Sequence, residues 1–134
     1  MTSPCIFPTL RYRDADAAIR WLTQVAGFRD HAVYRADDGA VAHAELALGV
    51  SIIMVGQARD DAYGAMIGDG KRTEAIYVAV PDADAVFARA QASGVAIERA
   101  PYDTDYGSRE FACRDPEGNL WSFGTYWPKT TDQI

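Results

Sequence analysis

The chain has 134 residues, 49% of them hydrophobic and 24% charged, with a formal net charge of −6. That is enough for one globular domain with a hydrophobic core. A pI near 4.7 repels phosphate backbones and anionic lipid, so neither a nucleic-acid nor a membrane partner is expected. No apolar run approaches the ~20 residues of a bilayer span, and the first residues lack the basic start and apolar core of a secretory signal. A cytoplasmic protein is expected. Cys5 and Cys113 are too few for a disulfide scaffold and sit in strand-like contexts, so they read as reduced and structural.

In chain order, residues 9–13 read as an extended segment, followed by Asp14-Ala15-Asp16-Ala17 and a helical pattern. Ala18, Ile19, Leu22, Val25 and Ala26 share one face of that helix, and Gly27 ends it. Strands are predicted over 31–35, 41–48 and 50–55, with turns at Asp37-Asp38-Gly39 and around Gly49. Residues 57–73 are polar apart from Ala65-Met66-Ile67 and read as a lid or a linker. The pattern then starts again. Residues 75–80 are rich in β-formers, and Asp82-Ala83-Asp84-Ala85 repeats the earlier tetrapeptide 68 residues on. A second helical face follows through Ala83, Val86, Phe87 and Ala90 to Gly94. Strands are predicted over 95–99, 109–114 and 120–126, the last two joined by the turn Asp115-Pro116-Glu117-Gly118-Asn119. Asp14 and Asp82, or the aspartates two residues on, suit helix caps better than catalytic acids.

Each half is therefore strand–helix–strand–strand–strand. The expected class is α+β: two tandem βαβββ modules forming a curved mixed sheet around a concave cavity. One domain spans 1–134, with modules at 5–56 and 74–127 joined by 57–73. Residues 10–14 through Gly27-Phe28 resemble the opening of modules of the vicinal-oxygen-chelate superfamily, its glyoxalase/bleomycin-resistance/dioxygenase-like branch. Arg114-Asp115-Pro116-Glu117-Gly118-Asn119-Leu120-Trp121, preceded by residues 106–111, resembles that branch's terminal hairpin. The resemblance covers about residues 5–127.

That superfamily includes isomerases, lyases, dioxygenases and drug-sequestering proteins, so fold alone does not give function. Its enzymes hold a divalent metal with His and Glu side chains in the concave cavity, as a Lewis acid. Carried onto this chain, the resemblance places those positions at Phe7, near Ile53, at Ala75 and at Ser122. Three of these lack a donor and the fourth is a neutral hydroxyl; a register shift of one brings in Glu74, a single carboxylate. The resemblance thus implies no metal and no cofactor. His43 and Glu45 lie two apart on a strand and share a face. They read as a metal pair, as a base with its orienting carboxylate, or as a plain polar strand face; His31 reads as a surface residue.

Strand parity gives the candidate ligand-binding residues. Phe7, Thr9 and Arg11 alternate with Ile6, Leu10 and Tyr12, which should pack under the helices. Tyr77 alternates with Ile76 and Val78, and Ser122 with Trp121 and Phe123. The expected lining is Phe7, Thr9, Arg11, Ile53, Tyr77 and Ser122, with Tyr102, Tyr106 and Arg109 near the rim. These groups suit a small organic molecule, with guanidinium for a carboxylate or an aromatic ring; alternatively, Arg109 forms a cross-strand salt bridge and the aromatics are core. Two functions follow. One is metal-independent binding of an aromatic or polar small molecule. The other is a lyase, isomerase or dioxygenase-like enzyme, using a displaced metal or acid–base residues such as Glu45, Glu110 or Tyr106. The resemblance also implies a homodimer, with Phe28, Trp127 or Met66 offering apolar contact surface.

Overall fold

The structure is a computed structural model that describes residues 4–68, 70 and 72–129. The described residues divide into two compact units, with the boundary between Arg72 and Thr73. The first contains β1 (Thr9–Tyr12), α1 (Ala15–Gln24), β2 (Arg29–Arg35), β3 (Val41–Leu48), β4 (Ser51–Gln57) and α2 (Ala62–Ile67). The second contains β5 (Ile76–Ala79), α3 (Ala83–Ser93), β6 (Ile97–Asp103), β7 (Arg109–Arg114) and β8 (Leu120–Gly124). Their sheets run β1-β4-β3-β2 and β5-β8-β7-β6, the same order twice. In each, the first strand pairs parallel with the last and the other pairings are antiparallel. This is the expected α+β pair of βαβββ modules, with the short helix α2 added inside the 57–73 segment.

The repeated aspartates act as caps. Asp14 accepts from the Ala17 amide at 3.0 Å and Asp82 from the Ala85 amide at 3.1 Å, which satisfies one of the free donors at each helix start. The second aspartate of each repeat turns to an arginine instead: Asp16 pairs with Arg35 at 2.7 Å and Asp84 with Arg109 at 3.2 Å. The hydrogen bond from Arg35 holds the Asp16 carboxyl below the usual carboxylate range. Gly94 closes α3 in the left-handed conformation. α1 leaves through Val25, and the positive-φ step falls two residues later at Gly27, before the Phe28 amide returns to the Leu22 carbonyl at 3.0 Å.

Each sheet buries one face under its own helix. In the first unit that face carries Tyr12, Val41, Ala44, Leu46, Ile53 and Val55, meeting Ala15, Ala18, Trp21 and Leu22 of α1. In the second it carries Val78, Phe111, Cys113, Trp121 and Phe123, meeting Ala83, Val86 and Ala90 of α3. Phe111 and Phe123 stack at 5.3 Å and Phe87 meets Phe111 edge-on at 5.4 Å. Burying side chains of this size contributes about 1.5–3 kcal/mol each. The Asp115 turn is anchored inward: its carboxylate accepts from the amides of Glu117 and Asn119, from Asn119 Nδ2 and from the buried Trp121 Nε1, each at 3.0 Å.

Several expectations need correction. β1 starts at Thr9, so Ile6 does not pack under the helix and is 87% exposed. Phe28, expected as contact surface, is buried. Cys5 is exposed and lies before β1, whereas Cys113 is core, its thiol pushed up to about 11 by burial.

Candidate functional site

The face of each sheet away from its helix carries the polar groups. In the first unit, register places Thr9 beside Met54 and Arg11 beside Gly56, while Glu45 faces Met54 and Tyr34 faces His43. Ile53 has the opposite parity and is buried with Val55. The position expected at Ile53 therefore belongs to Met54, and the 68-residue offset carries Ser122 back onto Met54. Phe7 lies ahead of β1, partly exposed and outside the strand. A pocket of about 190 Å³ opens on this face, lined by Thr9, Arg11, His43, Met54, Gly56 and Tyr63 among others.

The pocket's guanidinium is internally paired. Arg11 donates from Nη1 and Nη2 to the two Asp61 carboxylate oxygens at 2.9 and 3.3 Å, with its guanidinium 4.9 Å from the centre of the Tyr63 ring. Asp61 also caps α2 through the Gly64 amide at 2.7 Å. The Arg11 hydrogen bond, then the Gly64 amide, hold its carboxyl below the usual carboxylate range. His43 Nε2 lies 3.0 Å from Glu45 Oε2, and the imidazole stacks near Tyr34. His43, Met54 and Tyr63 were not among the expected ligand-binding residues. Parity counted from Thr9, with the 68-residue offset, is the signal that reaches Met54.

The second unit builds a cluster of phenols around one carboxylate. Register places Tyr77 beside Ser122 and Tyr102 opposite Glu110. Tyr102 and Tyr106 donate to the two Glu110 oxygens at 3.4 and 3.0 Å, and Tyr77 donates to the Tyr126 carbonyl at 2.7 Å. Gly124 makes room for this: a Cβ there would lie 2.6 Å from the Tyr77 hydroxyl and 2.7 Å from Glu110 Cγ. The Tyr106 phenol is raised by its bond to Glu110, and Tyr77 by burial. The Arg99 guanidinium sits 3.4 Å from the Tyr102 ring centre. Arg109 is not part of this face; it points to the helix side and is held by Asp84 at 3.2 Å and Asp103 at 3.4 Å, the salt-bridge alternative. The structure thus joins Thr9 with Arg11, and Tyr77, Tyr102 and Tyr106 with Ser122, while Phe7, Ile53 and Arg109 fall outside both groups.

The donor set does not fit the metal that the fold family's enzymes hold. Among the described residues no group of three or more His, Cys, Asp or Glu side chains converges, and His43–Glu45 supplies two donors where a divalent cation needs three or more. Among the same residues no helix is long and apolar enough to cross a membrane.

Residues 6–123 match the family described as the glyoxalase/bleomycin resistance protein/dioxygenase superfamily. No curated protein matches the chain. Solved structures do. TioX from Micromonospora sp. ML1 is 33% identical over 96% of this chain and 100% of its own, with a TM-score of 0.74. A glyoxalase/bleomycin resistance protein/dioxygenase family enzyme from Burkholderia phytofirmans PsJN is 22% identical over 88% of this chain and 94% of its own, with a TM-score of 0.72. A lactoylglutathione lyase from Agrobacterium tumefaciens is 22% identical over 92% and 94%, with a TM-score of 0.63; the last two likenesses speak to fold alone. With two βαβββ modules and a family match over nearly its whole length, the chain belongs to the glyoxalase/bleomycin-resistance/dioxygenase superfamily.

Proposed function

We propose that the protein binds a small aromatic or polar organic molecule, without a metal, on the helix-free faces of its sheets. The observation that carries this reading is the first unit's pocket, where a guanidinium, a hydroxyl, an imidazole and an aromatic ring surround an apolar floor at Met54 and Gly56. A few convergent polar groups over apolar surface is the makeup of an organic ligand site. Within the second unit, the phenols around Glu110 form an aromatic surface of their own, with Tyr77 and Ser122 adjacent. The sparse donor set among the described residues supports binding without a metal.

His43 favours a second reading. Its contact with Glu45 at the pocket is the arrangement of a general base with an orienting carboxylate, which suits an acid–base lyase or isomerase. A fragment screen by amide NMR, run with and without a chelator, tests both. The expected result is shifts at Thr9, Arg11 and Met54 that the chelator leaves unchanged. Near-stoichiometric Mn, Fe, Ni or Zn, lost together with binding on chelation, would overturn the proposal. Turnover of a bound compound that His43→Gln abolishes would establish the enzyme instead.

The protein is further proposed to act as a cytoplasmic homodimer. The exposed apolar side chains of Met66 and Trp127 support a contact between copies. A monomer mass by light scattering at ~100 μM would contradict the dimer. Recovery of the native protein from a periplasmic or secreted fraction would contradict the cytoplasmic placement.

A further inference from the structure

We infer that Asp61 is a resident stand-in for a ligand carboxylate: a small carboxylic acid with an apolar body takes Arg11 from Asp61 and releases α2 from the sheet. This rests on the reading of the first unit's pocket as a small-molecule site and names the ligand class it selects.

Arg11 is the cation of that pocket, its side chain only 19% exposed. A guanidinium so placed needs a planar acceptor, and a carboxylate fits its fork at two points. Asp61 meets that need from a helix of six residues that buries none of its side chains. What joins α2 to the sheet is therefore polar: the Arg11–Asp61 pair and the Tyr63 ring against the same guanidinium. Asp61 is 43% exposed on its side chain, and an ion pair this accessible contributes little net stability. A ligand carboxylate would replace it like for like and, unlike Asp61, would bring an apolar body to cover Met54.

Arg59 is a second, independent pointer. Its Nη2 is buried with no hydrogen-bond partner, a costly condition for a charged donor, and its positive charge acts on Asp61 two residues along. Asp61 thus lies in the field of two guanidiniums, which favours an anionic group beside it over a neutral or cationic one. A cationic ligand would meet the Arg11 guanidinium in the same pocket.

The test titrates benzoate and its neutral isostere benzamide into wild type, Asp61→Asn and Arg11→Met, following amide shifts of residues 62–67 and of Thr9 and Met54. Asparagine retains helix-capping ability, so Asp61→Asn removes the competing charge and leaves α2 capped. Benzoate should bind wild type more tightly than benzamide. Asp61→Asn should strengthen benzoate roughly threefold to fivefold, the size of one exposed ion pair. The α2 amides of benzoate-bound wild type should move toward those of free Asp61→Asn, and Arg11→Met should erase the preference for benzoate. Equal affinity for the two compounds, or an Asp61→Asn variant that binds benzoate no better than wild type, overturns the stand-in role while small-molecule binding stands. If neither compound binds, both readings fail. Should Arg11→Met not fold, the Asp61→Asn comparison alone decides.

Discussion

The two units agree strand for strand and differ in what they show on one face. The 68-residue offset pairs Ile53 with Trp121 and Val55 with Phe123 on the helix side, and all four are buried. On the other side it pairs Thr9 with Tyr77, Arg11 with Ala79, Met54 with Ser122 and Gly56 with Gly124. The first unit uses this face for an ion pair, Arg11–Asp61, and a hydrogen-bonded contact, His43–Glu45; the second gathers tyrosines around Glu110. Substitution on the helix side must conserve volume and apolarity, because a dense core resists change. The opposite face is tightly filled at Gly56 and Gly124, and elsewhere on it the two copies hold different chemistry.

The largest expected difference between the units is at their last hairpins. β3 and β4 are joined tightly, Leu48 opposite Ser51, with Val50 81% exposed at the tip. β7 and β8 are joined by the turn whose Asp115 is buried under Trp121. Asp115→Ala strips several charge-assisted bonds and leaves the indole N–H unpaired, which should cost about 3 kcal/mol. Val50→Ser should stay within about 0.5 kcal/mol. Urea unfolding of the two variants checks this, and equal losses would show that the buried turn does not anchor the second sheet.

A smaller effect is expected at the paired glycines. A methyl at Gly124 must push Tyr77 aside, whereas at Gly56 it meets the Ala42 carbonyl at 3.2 Å, a contact that a slight strand shift relieves. Gly124→Ala should break the Tyr77–Tyr126 bond at a cost of about 1 kcal/mol and move the Tyr77 ring resonances; Gly56→Ala should leave those resonances in place. Unchanged Tyr77 signals in Gly124→Ala would mean the phenol cluster is not held as described.

The smallest effect is in pH. Asp61, with its carboxyl held low by Arg11, contributes stability that is present above the usual carboxylate range and lost as pH falls through its lowered value. Tyr77 and Tyr106 are raised, so their contribution is present below the usual phenol range and lost as pH rises through their raised values. Acid should therefore loosen contacts in the first unit and alkali those in the second. The Gly64 amide and the Tyr106 ring report the two ends by NMR. An acid transition at the usual carboxylate value, unchanged in Arg11→Met, would show that Arg11 does not hold Asp61.

The module order, the capping aspartates and the helix-facing sets around Tyr12, Val78, Trp121 and Phe123 were all legible, because repetition and parity are local signals. Resemblance to a metal position puts Ile53 on the pocket face, whereas strand register buries Ile53 and puts Met54 there. Phe7 and Ile6 were placed by extending strand parity past the point where pairing with β4 begins. Arg109 was ambiguous because an arginine at a strand start reaches either face, and Asp84 decides it across a contact 25 residues apart in sequence. Tyr63 and Asp61 could not be reached at all: α2 is a single short turn whose importance lies in its contact with Arg11, 50 residues away.

The parallel pairing of β1 with β4 and of β5 with β8 bears on how the chain folds as it is made. In each unit the first strand cannot bond until the last has been synthesised, so closure waits on the most distant contact within that unit and carries the kinetic cost of non-local pairing. The wait ends separately for the two. Once Gln57 has left the ribosome, every strand of the first sheet is present, while the second still lacks all four of its own. At roughly 5–20 residues per second, the remaining chain takes several seconds to appear. The first unit therefore has time to form its core before a second set of strands with the same pairing order exists to compete for the same partners.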